Sequence, residues 1–239
     1  MSLAFALLFY FALAVLVIGV ARRIIMFTKA PAPLKIPTTP APTTQTGVVM
    51  RMFREVVFFE SLFKSTKWTW IFGWMFHMGL FAELARHSRY FNSLMPAEFI
   101  GPLKYAGFFM VIGLLGLLAR RIFVDRVRYI TSPSDIAMLI LLILIGISGI
   151  MMTFVWHTDV TAVTHFFRSV IWPVDGIPEL PGDPVLWIHL LLVVALMIVF
   201  PISKLLHAPG VFFSPSRNMV DNPREQRHVS DWAKKLEQN

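Results

Sequence analysis

The chain has 239 residues, of which 56% are hydrophobic and only 15% are charged, and its formal net charge at pH 7 is +8. Together with a positive mean hydropathy, this composition excludes an ordinary soluble domain. The sequence contains no cysteine, so the chain itself cannot hold a thiolate-bound iron–sulfur cluster, a thioether-linked haem or a disulfide.

Five apolar segments are long enough to cross a bilayer, which takes about 20 mostly apolar residues. In chain order they cover residues 3–25, 68–84, 103–119, 135–156 and 185–206. The first runs far longer than the apolar core of a signal peptide, so we expect it to be a retained helix. The sequence therefore predicts an all-α integral membrane protein with five transmembrane helices.

The basic residues predict how these helices are oriented. Most of them lie between the first and second segments, after the third, and after the fifth. The positive-inside rule places these three regions in the cytoplasm, with the N-terminus outside and the C-terminus cytoplasmic, in the cytoplasmic (inner) membrane. Because the positive charge flanks the membrane segments, it predicts topology and no nucleic-acid binding.

The region between the first two segments, residues 26–67, has two parts. Residues 31–47 are rich in proline and threonine and are expected to be extended. Residues 48–64 mix apolar with basic side chains, a pattern typical of an interfacial amphipathic helix. This second part is either a lead-in to the next helix or a docking surface for a partner.

Four histidines lie in or beside two of the membrane segments: His77 and His87 in and just after the second, His189 and His207 in and just after the fifth. Imidazole is costly in hydrocarbon unless it binds something. An unbroken helix would turn five times between His189 and His207 and place both rings on one face, about 27 Å apart. His77 and His87 would lie about 15 Å apart along their helix. Two such pairs predict two b-type haems, each held by two histidines.

Topology predicts which histidines share an iron. The second and fifth helices run antiparallel, so His77 and His207 lie near the cytoplasmic face, and His87 and His189 near the outer face. We predict the pairs His77–His207 and His87–His189, with irons about 20 Å apart. An iron with two imidazoles has no open position for substrate, so this chain is predicted to carry electrons without a complete substrate-converting active site. The predicted domains are the first helix (1–25), the cytoplasmic linker (26–67), a four-helix di-haem domain (68–206) and a cytoplasmic tail (207–239).

Three segments resemble the NarI-like di-haem cytochromes b, the respiratory nitrate reductase gamma subunit family. They are FHMGLFAELARH, LLARRIFVDRVRYITSPSDIAMLILL, and WIHLLLVVALMIVFPISKLLH with its eighteen-residue histidine step. This resemblance covers about residues 68–206. The preceding stretches APAPLKIPTTPAPTTQTG and FREVVFFESLFKSTKW are similar to the DsrM-type members, the membrane subunits of the DsrMKJOP complex of dissimilatory sulfur metabolism.

The resemblance implies a subunit that exchanges electrons with quinone near the outer haem and with a cytoplasmic iron–sulfur subunit near the inner haem. In a DsrM-type complex that partner resembles heterodisulfide reductase (a DsrK-like subunit), further subunits are present, and the substrate is a sulfur carrier. The alternatives are a respiratory nitrate reductase gamma subunit and a haem-free membrane anchor. A transporter would be expected to show discontinuous helices and inverted repeats, which this sequence does not display.

Further candidates lie close to the histidines in sequence. Arg86, Arg89 and Lys204 are expected either to pair with haem propionates or to anchor the helices at the interface. Lys104 is the nearest counterpart of the basic residue that assists quinol binding in the nitrate reductase relative, although its offset from the outer histidine differs; the alternative is a snorkelling flank. Glu83 is a candidate for proton release or for a buried hydrogen bond.

Overall fold

The computed structural model describes residues 1–31, 37, 39–91, 101–172, 176–222, 224–225 and 229–237, and within these residues the chain is helical without a β-strand. The α-helices are α1 (Ser2–Lys29), α2 (Gln45–Phe58), α3 (Glu60–Ser65), α4 (Lys67–His87), α5 (Ala106–Phe123), α6 (Asp125–Tyr129), α7 (Pro133–Phe154), α8 (Val160–Ile171), α9 (Pro184–Val199), α10 (His207–Gly210), α11 (Pro215–Asn218) and α12 (Asp231–Glu237). Short 3₁₀ turns cover Ser88–Tyr90, Phe200–Ile202, Lys204–Leu206 and Val211–Phe213. Of the predicted extended stretch 31–47, residues 32–36 and 38 lie outside the described residues, and its last three residues begin α2.

Four helices are long and apolar enough to cross a membrane, namely Ser2–Lys29, Gly101–Phe123, Pro133–Phe154 and Pro184–Ile202. They correspond to the first, third, fourth and fifth predicted segments, and they identify a membrane protein. The second predicted segment lies within α4, which has 21 residues but is not among these four. Its tryptophans, His77 and Glu83 lower its mean hydropathy, so α4 stays a predicted span.

The long helices pack in the order α4, α5, α7, α9 and α1, each against the next. The contact between α4 and α5 is the closest, because it joins backbone to backbone. A Cβ atom added at Gly79 would lie 2.6 Å from the amide nitrogen of Met110, and one at Gly113 would lie 2.6 Å from that of Phe76. Small residues at such a crossing allow the dispersion contacts that hold helices together in lipid. They fix the position of α4, which carries two of the four histidines.

Helix α1 runs parallel to α9 along most of its length. Near its start, the ring of Phe5 meets that of Trp187 edge-on, with centroids 5.8 Å apart. Near its end, Arg23 Nε donates to the carbonyl of Pro201 at 3.3 Å. The first turn of α1 is tied down by Ser2, whose hydroxyl oxygen accepts from the amide of Leu180 at 2.9 Å. The N-terminus therefore lies at the same end of the bundle as the start of α9.

The end of α9 corrects one sequence prediction. The α-helix stops at Val199, a 3₁₀ turn follows, and Ser203 is extended with ψ 171°. The physical reason is Pro201, which has no N–H to continue the helical hydrogen bonds. The expectation of an unbroken five-turn helix between His189 and His207 is therefore wrong, because His207 lies beyond the break and begins the separate short helix α10.

The glycine contact between α4 and α5 yields a stability prediction. Gly113→Ala places a methyl group against the backbone of α4, so the two helices must separate. We expect a destabilisation of about 1–3 kcal/mol, measured as a lower thermal unfolding midpoint by circular dichroism in detergent. Gly101→Ala is the matched control, since nothing lies within 4 Å of a Cβ there. Equal midpoints for the two variants would contradict the close contact.

Candidate functional site

The structure gathers the four histidines into two pairs, one at the middle of α4 and the other at its C-terminal end. The ring centroids of His77 and His207 are 6.0 Å apart and their planes are 81° from parallel. Those of His87 and His189 are 6.3 Å apart, with an angle of only 18°. In each pair one ring comes from α4 and the other from α9 or the turns that follow it. These are the combinations that the sequence analysis expected to share an iron.

The separations fit one metal ion between the two rings of each pair. Two imidazoles on opposite sides of an ion, each about 2 Å from it with the ring centre about 1 Å further back, have centroids roughly 6 Å apart. Within the described part of the chain, no group of three or more His, Cys, Asp or Glu side chains could hold a metal ion. Histidine imidazole is a common axial ligand of haem iron, whose other ligands belong to the macrocycle.

Three of the four rings make the same hydrogen bond from Nδ1 to a backbone carbonyl three or four residues earlier. The pairs are His77–Gly73 at 2.7 Å, His87–Glu83 at 2.6 Å and His207–Lys204 at 2.8 Å. A carbonyl oxygen only accepts, so Nδ1 must carry the ring proton and Nε2 keeps its lone pair free. This is the tautomer that a metal-ligating histidine needs, with its orientation fixed by the partner of the other nitrogen.

The fourth ring uses a side chain from another helix. His189 is buried, with 7% of its surface exposed, and its Nδ1 lies 2.9 Å from the hydroxyl oxygen of Ser148 in α7. Ser148 is a polar residue in a long apolar run, which is the only signal in the sequence that could have singled it out. Sequence analysis did not predict this contact.

The pair of His87 and His189 is flanked by buried positive charge. Arg86 is 13% exposed in its side chain, lies 3.4 Å from Glu83 and donates to the hydroxyl of Thr153 at 3.2 Å. Arg89 lies over the ring of Tyr90, 5.0 Å from its centroid. The Nε atoms of both arginines are buried and have no hydrogen-bond partner among the described residues. Unpaired buried donors of this kind are costly and suit an anionic group such as a haem propionate.

Lys204 forms an ion pair with an aspartate of α7. Its Nζ lies 2.7 Å from a carboxylate oxygen of Asp135, and Arg121 lies 3.5 Å from the same carboxylate. Asp135 also forms a capping box with Ser132 at the start of α7. Because the carbonyl of Lys204 accepts from His207, the ion pair positions the turn that presents this ligand candidate. The structure therefore directs the ammonium of Lys204 to Asp135, a contact that sequence analysis missed although the capping box was visible.

Lys104 lies just before α5, at the same end of the bundle as the pair of His87 and His189. Its Nζ is 5.0 Å from the ring centroid of Tyr105 and 6.0 Å from that of Phe154. The carboxylate of Glu83 also faces α5, since a Cβ at Gly107 would lie 3.3 Å from its Oε1. An ammonium group beside two aromatic rings suits either an interfacial anchor or a contact to a polar ring ligand.

The linker contacts His77, whereas His207 is exposed. Phe59 joins α2 to α3 in the left-handed conformation, with φ 52°, and its ring lies 4.9 Å from that of His77. A bulky residue at positive φ is uncommon and is favoured by its surroundings rather than by its own preference. Sequence analysis therefore had no signal that could place Phe59 against this histidine.

Comparisons with known proteins match these features. Residues 60–228, which include all four histidines, match the family model of the nitrate reductase gamma subunit. The chain is 35% identical to the Hdr-like menaquinol oxidoreductase cytochrome b-like subunit of Archaeoglobus fulgidus, over 93% of this chain and 81% of the relative. It is 29% identical to the subunit of the same name from Archaeoglobus profundus, over 93% and 80%. It is 28% identical to the nitrate reductase gamma chain of Bacillus subtilis, over 57% and 62%. Because the family match spans most of the chain and the first likeness extends over nearly all of it, this protein belongs to the nitrate reductase gamma subunit family.

Proposed function

We propose that this chain is a di-haem b-type cytochrome subunit that passes electrons between the quinone pool and a cytoplasmic iron–sulfur subunit. The observation that carries the proposal is the pair of imidazole couples, 6.0 Å and 6.3 Å between centroids. In this proposal His77 and His207 hold the inner haem, and His87 and His189 hold the outer one. When bound, each haem supplies a one-electron carrier whose iron has no open position.

The residues around the couples support three roles: they fix the ring tautomers, suit the haem propionates and position the turn before His207. Four Nδ1 hydrogen bonds keep the rings in the ligating tautomer. The unpaired guanidinium nitrogens of Arg86 and Arg89 suit the propionates of the outer haem. The ammonium of Lys204 is held by Asp135, so its contribution to the inner haem is to fix the turn before His207.

Five membrane spans complete the proposal, with the N-terminus outside and the C-terminus in the cytoplasm. Helix α4 has 21 residues, which gives it a length of about 30 Å, enough to cross the hydrocarbon core. It lies against α5, a helix that is itself apolar enough to span. The parallel course of α1 and α9 agrees with an even number of crossings between their starts.

Quinol is the proposed electron donor or acceptor at the outer haem. Two relatives carry the name menaquinol oxidoreductase subunit, which favours a quinone-linked role for this chain. Lys104, together with the rings of Tyr105 and Phe154, supplies an ammonium and aromatic faces at the outer end of α5. This combination suits a quinone, which has polar oxygens on a flat ring.

The inner haem requires a redox partner outside this chain, because a cysteine-free sequence has no thiolates for an iron–sulfur cluster. We propose a heterodisulfide reductase-like (DsrK-like) subunit within a DsrM-type complex of dissimilatory sulfur metabolism. The Hdr-like relatives match 93% of this chain, whereas the nitrate reductase gamma chain matches 57%, which favours this role over nitrate respiration. Mass spectrometry of the complex purified in mild detergent separates the two by identifying the cytoplasmic subunit.

The proposed docking surface is the α2–α3 elbow, residues 45–65. Glu55 ties it to the tail, since Arg217 Nη1 donates to its carboxylate at 2.6 Å. Hydrogen bonds from Lys64 and then Arg54 lower the pKa of the Glu60 carboxyl, so this elbow stays charged at its edge. Its outer face is apolar, with the rings of Phe53 and Phe58 half exposed and 6.0 Å apart. Residues 120–128 and the C-terminal tail provide further cytoplasmic surface.

The haem assignment predicts a stoichiometry of two b-type haems per chain. His77→Ala and His207→Ala should each remove the same haem, and His87→Ala the other, as measured by haem extraction and reduced-minus-oxidised spectra. His165→Ala is the control, because this exposed histidine of α8 belongs to neither couple. Loss of one and the same spectral component in His77→Ala and His87→Ala would contradict the pairing. A wild-type spectrum without a b-type band would instead favour the haem-free anchor.

The quinone assignment predicts that quinol analogues shift the spectrum or potential of the outer haem more than that of the inner haem. Lys104→Ala should weaken analogue binding about ten- to a hundredfold, if one charge-assisted hydrogen bond of about 1.5–3 kcal/mol is lost. Lys67→Ala is the matched control, since its ammonium also lies 6.0 Å from an aromatic ring but at the cytoplasmic end. Unchanged affinity in Lys104→Ala returns this lysine to an anchoring role, and a shift confined to the inner haem moves the quinone site to the cytoplasmic side.

The docking assignment predicts that Phe53→Glu and Phe58→Glu reduce co-purification of the cytoplasmic subunit while both haems remain bound. A charge on this face opposes burial of the apolar contact. Trp172→Glu serves as the control, because Trp172 is 69% exposed but follows α8 at the outer end. Retention of the partner and normal quinol-to-partner transfer in both phenylalanine variants would show that the elbow is only a lead-in to α4.

A further inference from the structure

Ser148 differs from the other hydrogen-bond partners of the four ligand candidates. The other three acceptors are backbone carbonyls of the ring's own segment, whereas Ser148 is a side chain of α7 that meets His189 of α9. Both residues are buried, with 6% and 7% of their surfaces exposed. A change of side chain can therefore remove this hydrogen bond, which is not possible for the three carbonyl contacts.

The direction of the hydrogen bond follows from the single proton of the hydroxyl. Ser148 Oγ lies 2.8 Å from the carbonyl of Leu144 and 3.0 Å from that of Ile145. These carbonyls accept the hydroxyl proton, as is usual for serine within a helix. The oxygen is then free only to accept, so Nδ1 of His189 donates to it and Nε2 is the unprotonated nitrogen.

Helix α7 also limits where the ring can lie. A Cβ at Gly149 would be 3.6 Å from Cε1 of His189, so the ring packs directly on this helix. The hydroxyl of Ser148 is the one side-chain partner that the described structure gives to this ring, and the backbone carbonyl of Ile145 in the same helix is a second acceptor beside it. The rotation of His189 about its own axis is consequently determined by α7 rather than by α9.

We propose that Ser148 is a positioning residue that fixes the tautomer and orientation of His189 and, by doing so, tunes the potential of the outer haem. The proposal rests on the proposed di-haem function. A partner that accepts from Nδ1 makes the imidazole a more basic ligand, and a more basic ligand favours the oxidised iron. Removing the acceptor therefore raises the midpoint potential of the outer haem.

The test compares Ser148→Ala and Ser148→Thr in membranes that contain the whole complex. Redox titration should give an upward shift in Ser148→Ala for the component that His189→Ala eliminates, with no shift in the other. The low-spin electron paramagnetic resonance signal of the same haem should also change, because it reports ring orientation. Ser148→Thr keeps the hydroxyl and should restore both values. Loss of the outer haem in Ser148→Ala that Ser148→Thr repairs supports the same role.

The control is Thr164→Ala in α8, whose hydroxyl donates to the carbonyl of Val160 at 2.7 Å and has no hydrogen bond to a ligand candidate within the described part of the chain. Unchanged potentials and resonance signals in Ser148→Ala overturn the proposal. A shift of both haems, or a defect that Ser148→Thr does not repair, overturns it as well, since either result indicates a general packing effect. Wild-type protein without two b-type haems overturns the proposed function itself, and this is seen before any Ser148 variant is measured.

Discussion

The constraint on which this structure depends is that an imidazole within an apolar bundle needs a partner for each of its nitrogens. One nitrogen of each ring is provided for by the protein: a backbone carbonyl for three rings and Ser148 for the fourth. The two rings of each couple have centroids 6.0 Å and 6.3 Å apart, close to the span of two metal–imidazole units, and the second nitrogen of each ring is left for a metal. These hydrogen bonds and distances support the proposal that each couple is a set of two metal ligands.

The two ends of the bundle meet this constraint in different ways. At the end that we propose is outer, His87 and His189 belong to regular helices, and the buried Nε atoms of two arginines beside them have no hydrogen-bond partner among the described residues. At the end that we propose is cytoplasmic, His207 follows a break at Pro201, and the ion pair of Lys204 with Asp135 holds the broken segment to the start of α7. After the break, the ring centroid of His207 lies 6.0 Å from that of His77 in α4.

The two ends also differ in the molecules that we propose bind there. The outer end offers charged and aromatic groups near the start of α5, suited to a small polar ring compound. At the other end, Phe59 at the junction of α2 and α3 contacts His77, and His207 is exposed. A partner that binds this elbow would come within one side chain of the inner couple, so docking and electron transfer would use the same element.

Sequence alone determined the membrane class, four of the spans, the absence of thiolate chemistry and the family, because hydropathy, composition and histidine spacing are local properties of the chain. It also predicted which histidines lie beside each other. Haem ligation by these couples stays a prediction. It could not give the course of the chain beyond Val199, the partner of Lys204, or the contact between Ser148 and His189. Nor did it foresee the left-handed Phe59 against His77. These features depend on which helix faces join, and above all on the glycine contact that brings α4 onto α5. Hydrogen bonds and ion pairs between distant residues exist only once that packing has placed their atoms within reach.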